Sequence, residues 1–177
     1  MERRIYRFFH LGAHVGSMYK TGHYGAALLL YAPVGFVLLS VDPAFAVLGG
    51  VGSVALSRLP DYDLRVPFLE HRGVTHTLPF LVAVAALLGA VGYRAAGAFG
   101  TDPARTAGLG VVVALVAVGS HLLADALTPA GVPLLWPLSG RDYSVNVATA
   151  SNPVANYGLL VLGVAACGAA GYLAGLV

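Results

Sequence analysis

The sequence is short of charge. Only 10% of its 177 residues are Asp, Glu, Lys or Arg, against roughly 25% in a typical soluble domain. So few charged groups cannot cover a globular surface in water. Intrinsic disorder is excluded for the opposite reason, because that state needs high charge and little apolar side chain. The net charge of +2 is small, and no Lys/Arg run builds a phosphate-binding stripe, so nucleic acid is not an expected partner. There is one cysteine, Cys167. It excludes an intramolecular disulfide framework and a cysteine-based zinc cage. A Gly-x-Ser-x-Gly element is missing, which removes the usual signature of acyl-enzyme chemistry. No internal repeat and no long linker are visible.

What the chain has is apolar length. Hydrophobic residues make up 58%, and the mean hydropathy is +0.78. A spanning helix needs about 20 mostly apolar residues. Stretches free of charge, extended past Arg58, Arg94 and Asp125, predict five spans near 21–41, 43–59, 75–99, 106–127 and 154–177. The second is short and rich in glycine, and it reads as tilted or partly re-entrant. Residues 1–20 do not read as a signal peptide, because His10, His14 and Lys20 interrupt any apolar core behind Arg3, Arg4 and Arg7. They read as an interfacial helix offering Ile5, Phe8, Phe9, Leu11 and Val15 to lipid. The fold class is therefore all-α: a multi-pass helical bundle, one membrane domain over residues 1–177. Small residues such as Gly49, Gly50, Gly52, Gly163 and Gly168 let helix backbones approach closely in lipid.

Orientation follows from the basic residues. With the N-terminus inside, the inner segments hold Arg3, Arg4, Arg7, Lys20, Arg58, Arg65, Arg72 and Arg141, and the outer loop holds Arg94 and Arg105. Eight against two favours a cytoplasmic N-terminus in a cell-membrane protein.

This topology gathers the polar residues on one side. His23 opens the first span, Asp61, Asp63, His71 and His76 lie between the second and third, and His121 and Asp125 end the fourth. Each also has a plain reading. Asp61 and Asp63 are equally well solvated acids paired with Arg58 and Arg65. If Pro60 keeps the segment extended, however, residues i and i+2 share a face, and two carboxylates there need a cation. His71-Arg72-Gly73-Val74-Thr75-His76-Thr77 precedes a span that Thr75 or Thr77 can cap, with Pro79 in its first turn. Free N–H groups at that helix start, with Arg72, suit an anion. An interfacial Arg/His anchor is the plain alternative. His121 and Asp125, four apart, share a helix face. They are a functional pair by default, or else a structural hydrogen bond between helices. Carboxylates with imidazoles suit zinc, manganese or iron(II) more than calcium. His10 and His14 read as interfacial packing, and Tyr24, Tyr31 and Trp136 as headgroup anchors or packing residues.

Three blocks carry a resemblance: Leu59-Pro60-Asp61-Tyr62-Asp63, then residues 71–77, then Ser120 to Pro137 with its core Ser120-His121-Leu122-Leu123-Ala124-Asp125. Together with Thr21-Gly22-His23 they resemble the LexA-binding, inner-membrane-associated metal-dependent hydrolase family over about residues 21–139. The resemblance implies a multi-pass membrane fold, hydrolase activity and a bound metal. Contact with a LexA-type repressor is implied by the family's name alone. The family often has a histidine after the second aspartate, where this chain has Leu64.

The expected function is a membrane-embedded metal-dependent hydrolase with its site at the cytoplasmic face. Its ligands are drawn from His23, Asp61, Asp63, His71, His76, His121 and Asp125. Asp61, His71, Arg72 and His76 are the expected catalytic residues, with Arg72 holding an anionic group of a phospholipid or lipid-linked phosphoester. The alternatives are a metal-handling or transport protein using the same residues, and a non-enzymatic scaffold or regulator whose His/Asp cluster is structural. A transporter site is expected near the midplane between related repeats, and these residues cluster at one interface.

Overall fold

A computed structural model describes residues 18–175. The interfacial reading of residues 1–20, with His10 and His14, lies almost wholly outside the described residues. Five helices follow in order: α1 (Lys20–Val41), α2 (Pro43–Leu56), α3 (Leu78–Phe99), α4 (Pro103–Ala126) and α5 (Pro153–Leu173). Two short 3₁₀ turns, Pro60–Arg65 and Val74–His76, sit between α2 and α3. Among the described residues there is no strand, only an isolated bridge between Val132 and Tyr143. The chain is a membrane helical bundle. Five helical stretches are long and apolar enough to cross a bilayer, the second only when α2 is taken with the turn up to Arg65.

Local chemistry sets the helix starts. Asp42, Thr77, Asp102 and Asn152 each cap a helix with a side-chain oxygen, accepting from Ala44, Phe80, Arg105 and Ala155 N–H groups respectively. Each is followed within two residues by proline, which fits the first helical turn because its N–H would be unpaired there. The third span starts at Leu78 and not at 75, because Thr77 is the cap that is used. The fourth starts at Pro103 and not at 106, because Asp102 and Arg105 belong to its first turn.

Water drives no apolar association inside a bilayer, so close packing and buried hydrogen bonds hold the helices. α1 and α5 run in parallel and touch backbone to backbone. A Cβ on Gly25 would strike the Leu159 carbonyl carbon and Leu160 nitrogen, and one on Gly163 would strike the Gly25 carbonyl oxygen. α3 and α4 make the same kind of contact in an antiparallel pair, through Gly92 and Gly110. Tyr31 is a packing residue: it is buried, and its hydroxyl donates to the Ala46 carbonyl across the α1–α2 contact. Between α3 and α4 lies a small core of Val84, Ala85, Ala114, Val118 and Leu122. The buried polar side chains collect at the end of the bundle where α1, α3 and α5 begin and α2 and α4 finish.

Candidate metal centre

The centre is built from the end of α4 and the irregular stretch that joins α2 to α3. His121 and Asp125 stand one helical turn apart on α4, both fully buried. His121 Nδ1 lies 2.8 Å from the Ser57 carbonyl oxygen and donates to it, which leaves Nε2 with its lone pair facing inward. His76 is the last residue of the Val74–His76 turn. Its Nδ1 lies 3.0 Å from Thr75 Oγ1, and that hydroxyl donates to Asp63 Oδ2 at 3.0 Å. With its own Nδ1 proton committed there, His76 also turns Nε2 inward. The two Nε2 atoms meet at 3.1 Å.

Two carboxylate oxygens complete the set. Asp125 Oδ2 is 3.4 Å from both Nε2 atoms. Asp61 Oδ1 is 3.5 Å from His121 Nε2 and 3.8 Å from His76 Nε2. An ion with four tetrahedral ligands at about 2.0–2.1 Å has ligand–ligand edges of about 3.4 Å. The measured edges bracket that value. Asp61, His76, His121 and Asp125 can each offer one ligand atom with all four inside 4.8 Å of one another. The buried His/Asp group could therefore hold a metal ion. Burial alone would push the His76 pKa down, but the neighbouring Asp125 and Asp61 carboxylates outweigh it and hold the pKa above the ordinary value. The same carboxylates that favour a proton there favour a metal cation.

The remaining sequence candidates surround this set. His23 stacks flat on His121, with ring centroids 4.0 Å apart at 8°. Its Nε2 is 3.7 Å from Asp61 Oδ2, and its buried Nδ1 has no hydrogen-bond partner among the described residues. Asp63 is buried with both oxygens engaged, accepting from His71 Nδ1, the Arg72 N–H and Thr75 Oγ1 at 3.0–3.1 Å. It orders the turn that carries His76. Asp63, His71 and His76 form a second possible donor group that shares His76 with the first. His71 is partly exposed and lines a polar cleft of about 380 Å³ with Glu70, Arg72, Gly73, Trp136 and Asp142.

Arg72 has a left-handed backbone, φ 58°, uncommon for a side-chain-bearing residue. That conformation lets its N–H reach Asp63 while its guanidinium reaches away. The guanidinium donates to Asp125 Oδ1 at 2.9 Å, Thr128 Oγ1 at 2.9 Å and the Gly131 carbonyl at 3.1 Å. Asp125 is thus divided, one oxygen on Arg72 and the other toward the histidines.

Two sequence expectations are corrected. Residues 60–65 are not extended. Leu59 is right-handed helical, and Pro60 opens a 3₁₀ turn. In a helix of three residues per turn, positions i and i+2 point apart. Asp61 therefore enters the four-donor set, and Asp63 turns to His71 and Thr75. At the start of α3 the Leu78 N–H bonds the Leu134 carbonyl and the Phe80 N–H bonds Thr77, so neither is free for the anion expected there. Sequence reasoning also missed the Ser57 carbonyl, Thr128 and the Gly131 carbonyl. Two of these are backbone groups with no residue signature. Leu64 is exposed, and the four-donor set is formed without it.

The fold and this cluster define a multi-pass membrane protein with a buried His/Asp centre at one end of the bundle. The chain belongs to the YdjM inner membrane protein family, whose model matches residues 18–177. It is similar to the inner membrane protein YdjM of Escherichia coli (strain K12) and to that of Shigella flexneri, each 49% identical over 71 residues. That stretch is 40% of this chain and 32% of each relative, so the chain matches about a third of their length. No solved structure matches the chain.

Proposed function

We propose that this protein is a metal-dependent membrane hydrolase whose ion is held by Asp61, His76, His121 and Asp125. One observation carries the reading: two histidines, each with Nδ1 committed elsewhere, bring their Nε2 atoms to 3.1 Å between two carboxylates. Facing nitrogens share either a proton or a cation, and the two carboxylates flanking them favour the cation. A divalent transition ion, zinc, manganese or iron, supplies a Lewis acid and a water made acidic enough to attack at neutral pH. His71 donates through Nδ1 to Asp63 and presents Nε2 to the cleft, where it can take and return a proton. Arg72 holds Asp125 in place and ties the Thr128–Gly131 loop to the centre. The substrate class that suits a cleft at the bundle end is a lipid-borne ester, phosphoesters included.

The site end is read as cytoplasmic. Lys20, Arg58, Arg65, Arg72 and Arg141 lie at that end, and Arg94 and Arg105 at the other, which is the bias of an inward-facing surface.

The test is elemental analysis of protein purified without chelator, followed by a screen of lipid esters. About one transition-metal ion per chain is expected, with turnover lost on chelation and restored by the ion. Folded protein that carries no metal and takes none up would overturn the reading and leave the cluster structural.

A further inference from the structure

The second helix alone is too short to cross the membrane. Its 14 residues rise about 21 Å, against about 30 Å of hydrocarbon. α1, with 22 residues, rises about 33 Å. Only Asp42 separates the end of α1 from the start of α2, so the two helices share one level at the far side. α2 therefore stops about 12 Å below the level where α1 begins. The chain from Ser57 onward turns over the centre inside that remaining depth. His23 fixes the level independently. It lies three residues into α1, about 5 Å below Lys20, and 3.7 Å from Asp61. His121 lies five residues before the end of α4, about 8 Å down.

The outer side of this turn is apolar. Tyr62, Leu64, Val66, Phe68 and Leu69 are all exposed, five large side chains within eight residues. Phe68 is fully exposed and has φ 74°, a left-handed conformation that is a true outlier for a bulky residue. Water gives no return for holding a bare phenyl ring in that conformation. The exposed faces of α2, with Val47, Leu48 and Val51, and of α3, with Val82 and Leu87, flank the segment along the chain. Arg65 lies over the Tyr62 ring at 5.1 Å, an aromatic–basic pair suited to the headgroup layer.

We infer that residues 62–69 are seated in the lipid leaflet at the site end, with Phe68 as their anchor. The segment is a lipid-immersed cap over the His/Asp centre. Glu70, His71 and Arg72 of the polar cleft follow it directly in the chain, so the cleft opens at headgroup level and is entered from the leaflet. The inference stands without the hydrolase reading, because it rests on depth and exposure alone.

Trp136 is the chain's single tryptophan, so fluorescence can report on position 68. The double variant Trp136→Phe, Phe68→Trp is reconstituted in phosphatidylcholine–phosphatidylglycerol vesicles, with circular dichroism to show that it folds. The expected result is blue-shifted emission, loss of most of the signal with acyl-brominated lipid, and little loss with iodide. Strong iodide quenching without bromolipid quenching overturns the proposal, since the segment is then a water-exposed loop. Shielding from both quenchers also overturns it, because protein then covers the face, either a second copy or the chain's own N-terminal segment. A spin label on Phe68→Cys in a Cys167→Ala background gives a second reading. Oxygen collisions must exceed those with a water-soluble nickel chelate.

Discussion

His76 and His121 turn their Nε2 atoms toward each other across 3.1 Å, although the residues lie 45 positions apart in the chain. Neither can rotate away easily. His121 is held through Nδ1 by the Ser57 carbonyl and His76 by Thr75, so both lone pairs are fixed on one point.

That arrangement separates the four candidate ligands from the residues that position them. His121→Ala and Asp125→Asn should each abolish metal retention through purification. Asp63→Asn removes no atom of the four-donor set but weakens the hold on the His76 turn. It should lower metal affinity by about 10–100-fold, the usual cost of losing an outer partner of a ligand. Chelator competition on the purified variants measures the difference. Equal loss in all three would place Asp63 among the ligands.

Arg72 should behave as a tie. Arg72→Lys keeps the charge but cannot bond Asp125, Thr128 and the Gly131 carbonyl together, because lysine lacks the planar fork. Thermal unfolding in detergent should show a loss of about 1–3 kcal/mol, the scale of one or two charge-assisted bonds. Metal affinity should fall with it. A variant that keeps stability and metal but loses turnover on phosphoesters alone would instead make Arg72 a substrate residue.

The glycines divide into contacts and spacers. Gly25→Ala should open the α1–α5 contact and cost about 1–3 kcal/mol, as overpacking does. Gly97→Ala in α3 meets nothing within 4 Å. It should be neutral or stabilise by about 0.5–1 kcal/mol, the helical preference of alanine over glycine. Unfolding midpoints of the two variants, measured side by side in one detergent, test the parallel backbone contact directly.

Topology gives a test that needs no activity. Reporter fusions after Phe99 should read as external and fusions after Pro137 as cytoplasmic. The reverse pattern would invert the bundle and move the centre to the other face.

Much of the bundle was legible because lipid allows few exceptions: a charge-free run of the right length is a span. The same filter blurred the boundaries. It skipped Pro103 to Arg105, whose cap at Asp102 and proline were readable signs of a helix start. The site was legible where spacing fixes geometry, as for His121 and Asp125 on one helix face. It was not legible in the turns. Pro60 serves an extended strand and a 3₁₀ turn alike, and only the surrounding packing selects the turn that separates Asp61 from Asp63. Nothing in the spacing of His71 and His76 says which enters the four-donor set. That depends on Thr75 and Asp63, which act through hydrogen bonds that a linear pattern does not encode.

The donor set also imposes an order on biogenesis. Asp61 and His76 leave the ribosome well before His121 and Asp125, and the carbonyl that aims His121 belongs to Ser57 on the earlier side. Until α4 is inserted and docked, the nascent chain offers only half of the four atoms. α5 supplies none of them. It grips α1 by backbone contact, and α1 carries the His23 ring that backs His121. A cation held by all four atoms could therefore be captured only after the fourth helix enters, with the last helix closing the assembly behind it.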